Sequence, residues 1–167
     1  MADDAAIPQI LLESLRQRLR APRGSPAIEL AVWAAVEGDV EQRGWALVAL
    51  AQRLRRERAG QLARLAIDAA IALDAGSAQT RAARTVSVLL LADEGELTAA
   101  AALGEQLLGD GRDTNLLKAL ARVYWELWQE TSDEDWHDRW WQINRIRHDG
   151  GASQDDGEAS LAPTADS

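Results

Sequence analysis

The sequence has 167 residues, a net charge of −9 and no cysteine. A chain of this length fits one domain plus a tail and buries enough surface to fold without disulfides or metals, and the absence of cysteine excludes disulfides and cysteine-based zinc sites. Residues 1–92 carry 12 arginines and 10 acidic residues, whereas residues 93–167 carry 6 basic and 17 acidic residues. Because the second half would repel phosphates, nucleic-acid binding is not expected.

The N-terminal sequence and the apolar runs argue against export and membrane insertion. Asp3 and Asp4 lie where a secretory signal would be basic. Apolar runs such as residues 86–92, which Ser87 interrupts, are far too short to cross a bilayer. We therefore expect a cytoplasmic protein that makes no membrane contact. Lys118 is the only lysine among many arginines and alanines, which indicates a GC-rich, bacterial-type composition.

Two helices are predicted near the N-terminus. The first covers residues 8–20, starts at a proline suited to a first helical position and carries an apolar stripe. A break rich in proline and glycine separates it from a second helix over residues 27–37. We assign residues 1–24 to an N-terminal helix and linker, and residues 25–148 to the main domain.

Two more helices are predicted between residues 39 and 75. Asp39 and Gln42 have the spacing of a capping box and open a helix that runs to about Arg58. A helix over residues 61–73 follows. The residues of the first of these helices that are predicted to face inward are Trp45, Val48, Ala49 and Leu50.

The stretch from residue 78 to Arg147 contains two consecutive helix pairs. Gly76 is expected to end the preceding helix and Ser77 to cap the next one. A second capping box, formed by Ser132 and Asp135, is predicted to open the last helix. The four helices are predicted over residues 78–92, 97–108, 115–129 and 134–147. Since no segment alternates with period two for long enough to form a strand, the sequence predicts an all-α fold.

An internal repeat runs through these two pairs. Ala83, Val86, Ser87 and Leu90 recur as Leu117, Leu120, Ala121 and Tyr124 at an offset of 34 residues. The second copy, Leu-x-x-Leu-Ala-x-x-Tyr, resembles the Trp-x-x-Leu-Gly-x-x-Tyr pattern of the tetratricopeptide (TPR) family. Ala99 with Leu103 resembles the family's small-x-x-x-aromatic second helix. The family's closing proline is absent, and Trp136 lies where the family has a small residue.

The resemblance implies antiparallel helix pairs stacked as a short right-handed solenoid. It also implies a non-catalytic scaffold or adaptor whose concave surface holds a peptide or partner domain. The first helix of each pair would line that surface, through exposed positions such as Arg81, Arg84, Thr85, Lys118, Arg122 and Trp125. Arginines there suit an acidic or carboxylate-bearing ligand.

Tryptophan is concentrated near the C-terminal end of the main domain, where five of the seven lie between Trp125 and Trp141. One face of the last helix is predicted to hold Trp136, Trp140 and Ile143, and a second face His137, Trp141, Asn144 and His148. Two interpretations are open. In the first, Trp136 and Trp140 plug the open end of the array and Trp125 or Trp128 packs against them. In the second, Trp141 belongs with His137 and Asn144 to an exposed contact surface for a partner.

No group of residues predicts catalysis, a metal or a cofactor. His137 and His148 lie about three helical turns, or roughly 16 Å, apart, so they cannot share one ion. The sequence contains no serine elbow, cysteine or Gly-rich phosphate loop that could act together with either histidine in catalysis. A helical hydrolase would need a carboxylate cluster in a pocket, which the sequence does not predict.

Residues 149–167 have no apolar periodicity and no basic residue, so they are predicted to form a disordered acidic tail. Two further functions stay open beside the scaffold. One is a small acidic secretion-type chaperone or dimeric adaptor, a homodimer formed through the N-terminal helix. The other is a structural domain that works only inside a larger assembly.

Overall fold

The computed structural model of the chain describes Ala35, residues 37–109 and residues 113–152, with side chains as far as Asp149. Within these ranges the protein is all helical and contains no strand, which confirms the predicted all-α class. The helices are α1 (Val40–Arg56), α2 (Gly60–Leu73), α3 (Ser77–Asp93), α4 (Leu97–Leu108), α5 (Thr114–Thr131) and α6 (Glu134–Ala152). The helix predicted over residues 8–20 lies outside the described residues, as does nearly all of the helix predicted over residues 27–37.

The predicted capping box at the start of α1 is present. The Asp39 carboxylate accepts a hydrogen bond from the Gln42 backbone N–H at 2.8 Å, and the Gln42 side chain accepts one from the Asp39 N–H at 3.3 Å. Both bonds satisfy N–H groups that have no partner inside the helix. The helix start is therefore encoded locally, as the spacing predicts.

Three other predicted caps, at Gly76, Ser77 and Ser132, are wrong. Asp74, in the left-handed conformation with φ 46°, ends α2, while Gly76 (φ 140°) is the N-cap of α3 and Ser77 its first residue. At α6 the cap is Asp133, whose carboxylate accepts from the Asp135 N–H at 3.0 Å. Ser132 is left-handed (φ 54°) and ends α5, so it cannot also adopt the extended backbone of an N-cap.

Helix α6 is longer than predicted. It continues from Glu134 to Ala152, whereas periodicity placed its end at Arg147. The first residues of the predicted tail are therefore helical. The rest of that tail, from residue 153, lies outside the described residues, and its disorder stays a prediction.

Two clusters of buried side chains meet at α3. One contains the inner residues of α1 and α2 together with Ala83, Val86 and Leu90 of α3. The other contains Val88 and Ala92 of α3 with residues of α4, α5 and α6. Of the eight repeat positions, seven are buried and Ser87 is half-buried. The repeat is therefore a repeat of core positions.

Two of the residues predicted to face inward on α1 are exposed. The buried stripe of α1 runs through Leu47, Leu50, Ala51 and Leu54, which recur at helical spacing. This stripe turns Trp45, 44% exposed, and Ala49 toward the opposite side of the helix. The prediction for these two residues followed their apolar character rather than their position on the helix.

Each helix packs against the next one in the chain, and α1 and α5 both also contact α3. Among the six described helices, α2 does not contact α4, and α4 does not contact α6. Helix α4 approaches α5 closely because Ala100 and Gly104 are buried there. Ala99, the small residue expected at a helix contact, is exposed instead.

Candidate functional site

The predicted partner-binding residues fall at separate places rather than in one groove. Arg81 and Arg84 line a cleft of about 470 Å³ at the N-terminal end of α3. Arg122 lines another cleft, at the C-terminal ends of α1 and α3. Lys118 is exposed on α5. Three residues lie together at the α5–α6 contact, namely Trp125, His137 and Trp141.

Thr85 does not line a groove, although it was expected to be exposed. It is only 5% exposed, and its hydroxyl donates a hydrogen bond to the Arg81 carbonyl oxygen at 3.1 Å. Arg81 itself has a structural contact, because its guanidinium donates to the Leu107 carbonyl oxygen at 3.0 Å. That carbonyl is one of the last in α4, and it also accepts from the backbone N–H of Gly109, the C-cap of the helix.

Five ring-bearing residues at the α5–α6 contact form what we call the aromatic surface. The Trp125 ring lies 4.9 Å from Trp128 and 5.1 Å from Trp140, measured between ring centroids. His137 lies 4.6 Å from Trp128 and 6.0 Å from Trp140. Trp141 adjoins Trp140 at 5.5 Å in an edge-on arrangement. The aromatic surface thus consists of Trp125, Trp128, His137, Trp140 and Trp141.

The aromatic surface is partly buried and partly exposed to solvent. Trp128, His137 and Trp140 are half-buried, whereas Trp125 is 41% and Trp141 59% exposed. The half-buried rings hold the exposed ones in place, since aromatic pairs favour the edge-on and offset geometries seen here. An open depression of about 670 Å³ lies beside Trp140 and Trp141.

Trp136 belongs to the covered side of the same helix. It stacks on Tyr124 at 5.8 Å, and the Arg139 guanidinium lies 4.9 Å from its ring centroid. The Tyr124 hydroxyl donates to Glu105 at 3.0 Å, and Arg139 pairs with the same carboxylate. Burial raises the pKa of Tyr124, and the negative charge of Glu105 adds to this rise.

The two interpretations of the tryptophans each describe part of this region. Trp136, Trp140 and Ile143 pack against the core at the end of the helical array, and Ile143 is only 4% exposed. Trp141 points away from that core and is the most exposed tryptophan of the described chain. Helical spacing predicted that Trp141 lies on a different face of the helix from Trp140 and Ile143, and this is confirmed.

Four arginines and two carboxylates line the cleft at the ends of α1 and α3, which has a volume of about 620 Å³. Asp93 accepts hydrogen bonds from Arg55 of α1 and, at 2.8 Å, from Arg122 of α5. Arg122 also donates to Glu126 at 2.7 Å. One carboxylate on α3 therefore ties together three helices that are not consecutive in the chain.

The charges in this cleft are only partly matched, because two of its four arginines are paired. The hydrogen bond to Glu126, with that to Asp93, raises the pKa of Arg122 even though burial works in the other direction. Glu94 pairs with Arg64. Arg56 and Arg58 are exposed and have no ion pair within the part of the chain that the structure describes. Sequence reasoning missed this junction because Arg55, Asp93 and Arg122 lie far apart in the chain.

The described ranges contain neither a candidate metal site nor a candidate membrane span. Across residues 37–109 and 113–149, no three histidines, aspartates or glutamates come together in a way that could hold a metal ion. None of the helices described above combines the length and the apolar character needed to cross a bilayer.

Comparison with known proteins adds no relative. No protein-family model matches the chain, and neither a curated protein nor a solved structure matches it.

Proposed function

We propose that this chain is a non-catalytic protein-interaction module, a TPR-like scaffold or adaptor that binds a peptide or partner domain. The observation that carries the proposal is the exposure of Trp125 and Trp141 on an otherwise packed aromatic surface. Tryptophan is enriched among the residues that dominate binding energy at protein interfaces. The proposal includes the cytoplasmic location expected from the sequence.

The order of helix contacts supports the solenoid part of this proposal. Helices α1, α3 and α5 contact one another in succession, whereas α2, α4 and α6 contact only the helices next to them in sequence. A stack of helix pairs produces this pattern, because the first helices of the pairs line one side and the second helices spread on the other. We therefore propose a short array of antiparallel helix pairs, with the right-handed sense that the TPR resemblance implies.

The aromatic surface is a better candidate than the arginines that the resemblance pointed to. The guanidinium groups of Arg81 and Arg122 are engaged by Leu107 and by Asp93 with Glu126. A ligand would have to replace these bonds. The exposed rings need no such exchange, and their packed neighbours limit the entropy lost on binding.

The test is selection of binding peptides from a random displayed library against the full chain, followed by affinity measurements on variants. We expect Trp141→Ala and Trp125→Ala each to weaken the selected peptides roughly tenfold or more, as loss of a dominant interface residue does. Trp45→Ala is the matched control, because Trp45 is exposed to a similar extent on α1. Selected peptides that bind both aromatic-surface variants as tightly as the unmodified chain would contradict the proposal.

Solution mass separates this function from the dimeric adaptor. The aromatic surface and residues 1–24 are different parts of the chain, so their effects on assembly can be told apart. A dimer that persists in Trp141→Ala would favour self-association through the N-terminal helix. A dimer that dissociates in that variant would make the aromatic surface itself the contact between copies.

A further inference from the structure

We propose that the aromatic surface binds an arginine-containing peptide segment of a partner protein. The guanidinium group of that arginine lies over the exposed ring of Trp141 and pairs with the carboxylate of Asp138. This inference rests on the proposed function, because it assigns a ligand chemistry to the same surface. Two observations support it: the charges around the surface, and the contact that Arg139 makes with Trp136 and Glu105 within the chain.

The turn between α5 and α6 gives the aromatic surface an acidic border. Residues 123–149 carry seven carboxylates against three arginines, Arg139, Arg145 and Arg147, and Arg139 is engaged by Glu105. The exposed carboxylates of the border are Glu130, Asp133, Glu134, Asp135 and Asp138. A basic segment approaching the exposed rings would therefore be attracted, and an acidic one repelled.

The chain itself shows how such a cation would be held. The Arg139 guanidinium lies 4.9 Å from the ring centroid of Trp136 and pairs with the Glu105 carboxylate at the same time. An indole face and a carboxylate satisfy a guanidinium together, because the ring attracts its charge and the carboxylate accepts its hydrogen bonds. The structure thus contains one complete example of the contact that we propose for a partner.

Trp141 has the same two components without the cation. Within the described part of the chain, no guanidinium lies over its ring. Asp138 precedes it by three residues on α6, which places both side chains on neighbouring positions of one helix face. Asp138 is exposed and has no ion pair among the described residues. Arg145, which follows Trp141 by four residues on the same helix face, has Asp149 at 3.9 Å, so its charge is partly matched.

The depression beside Trp141 has room for the rest of the segment. It has a volume of about 670 Å³, and the rings of Trp140 and Trp141 line it together with polar side chains, among them Arg145, which has Asp149 at 3.9 Å. An aliphatic residue next to the partner's arginine would bury apolar area there. The proposed ligand is therefore a short segment in which arginine and aliphatic residues are neighbours.

The experiment uses a fluorescein-labelled peptide in which arginine alternates with leucine, and an otherwise identical peptide with citrulline in place of arginine. Citrulline keeps the shape of the side chain and removes its charge. Binding to the full chain is followed by fluorescence anisotropy at low and at physiological ionic strength. We expect the citrulline peptide to bind about tenfold more weakly, the size of effect that a partly desolvated cation–π contact gives.

Substitutions locate the contact on the protein. Trp141→Ala should weaken the arginine peptide about tenfold, while Trp141→Phe should retain part of the affinity because phenylalanine keeps a weaker π face. Asp138→Asn should weaken it severalfold. The matched control is Asp68→Asn, which removes the same charge from an exposed position on α2. Circular dichroism verifies that each variant remains helical.

The outcomes separate this inference from the proposed function. Equal affinity for the arginine and citrulline peptides would overturn the inference, and the function would still stand if Trp141→Ala weakened the library-selected peptides. Equal weakening by Asp138→Asn and Asp68→Asn would mean general attraction to an acidic protein and would also overturn it. Self-association that is lost in Trp141→Ala would assign the surface to a second copy instead of a partner.

Discussion

Tyr124, the only tyrosine in the chain, is 3% exposed, and its hydroxyl donates to Glu105 of α4. Its ring stacks on Trp136 of α6, so this side chain joins three helices. Ionisation of the phenol would place a second negative charge beside the Glu105 carboxylate. Burial of the phenol is the main cause of its raised pKa and the negative charge of Glu105 adds to it, so the neutral form is strongly favoured in the folded protein.

We expect this residue to make the protein sensitive to alkali. Below about pH 10 the phenol is protonated in the folded and the unfolded chain alike, so it adds no pH dependence. Above about pH 10 the unfolded chain releases the proton while the folded chain retains it, and the free energy of unfolding falls as pH rises. Urea unfolding at increasing pH measures this loss.

Tyr124→Phe is the control for that measurement, because it removes the titrating group and should flatten the pH dependence in the same range. Tyrosinate absorbance provides a second reading that comes from Tyr124 alone. A native protein whose tyrosine ionises as readily as an exposed one would contradict the burial described here.

At the scale of the helices, Gly104 sets how closely α4 approaches α5. A Cβ atom added there would lie 2.4 Å from Leu120 Cδ2 and 2.9 Å from Leu120 Cγ. Leu120 is fully buried and has little space to move away. We expect Gly104→Ala to lower the free energy of unfolding by about 1–3 kcal/mol through overpacking.

Gly109→Ala is a matched control, since the nearest atom to an added Cβ is 3.6 Å away and the backbone φ is −57°. Chemical denaturation should leave this control within about 0.5 kcal/mol of the unmodified chain. The double variant with Leu120→Ala should cost less than the sum of the two single changes. Additive costs would mean that Gly104 and Leu120 do not compete for the same space.

The helices show how much of the fold could be predicted from the sequence. Periodicity gave α4 its observed bounds, and the spacing of Asp39 and Gln42 gave the start of α1. The N-cap predicted at Ser132 was wrong because Ser132 and Asp133 are both residue types suited to an N-cap. Ser132 adopts the left-handed conformation that ends α5, which leaves Asp133 as the N-cap of α6. Local patterns specify helices better than they specify the connections between them.

The candidate site was predictable to a smaller extent. Helical spacing separates Trp141 from Trp140 and Ile143, and the structure has the same separation. Spacing within one helix gave no signal for the contacts of Trp125 with Trp140 and of Trp128 with His137, which join two helices. These outcomes depend on which helix covers which face, and that choice is made by packing between segments far apart in sequence.

At the scale of the whole molecule, Asp93 joins α1, α3 and α5 through Arg55 and Arg122. Two effects of replacing it by asparagine oppose each other. Removing a negative charge from the C-terminal end of α3 gains about 0.3–1 kcal/mol. Losing charge-assisted bonds costs about 1.5–3 kcal/mol each, reduced by the partial solvent exposure of the pairs.

We expect the loss to exceed the gain, so that Asp93→Asn lowers the free energy of unfolding by about 1 kcal/mol. Arg55 contributes most to this cost, since its side chain is only 14% exposed and would lose its counter-charge. Asp68→Asn, an exposed change on α2, should stay within about 0.5 kcal/mol when measured by the same denaturation. Equal stability of the two variants would contradict the expectation that the lost bonds outweigh the gain from removing the charge.

The contacts between helices also bear on how fast the chain folds. In the described residues each helix contacts only helices one or two positions away in the chain, so no helix has to find a distant partner. Closing short loops costs little chain entropy, and domains dominated by local contacts fold in microseconds to milliseconds. Stopped-flow refolding should therefore be largely complete within the dead time of mixing, and during synthesis each helix pair can form before the next one is made.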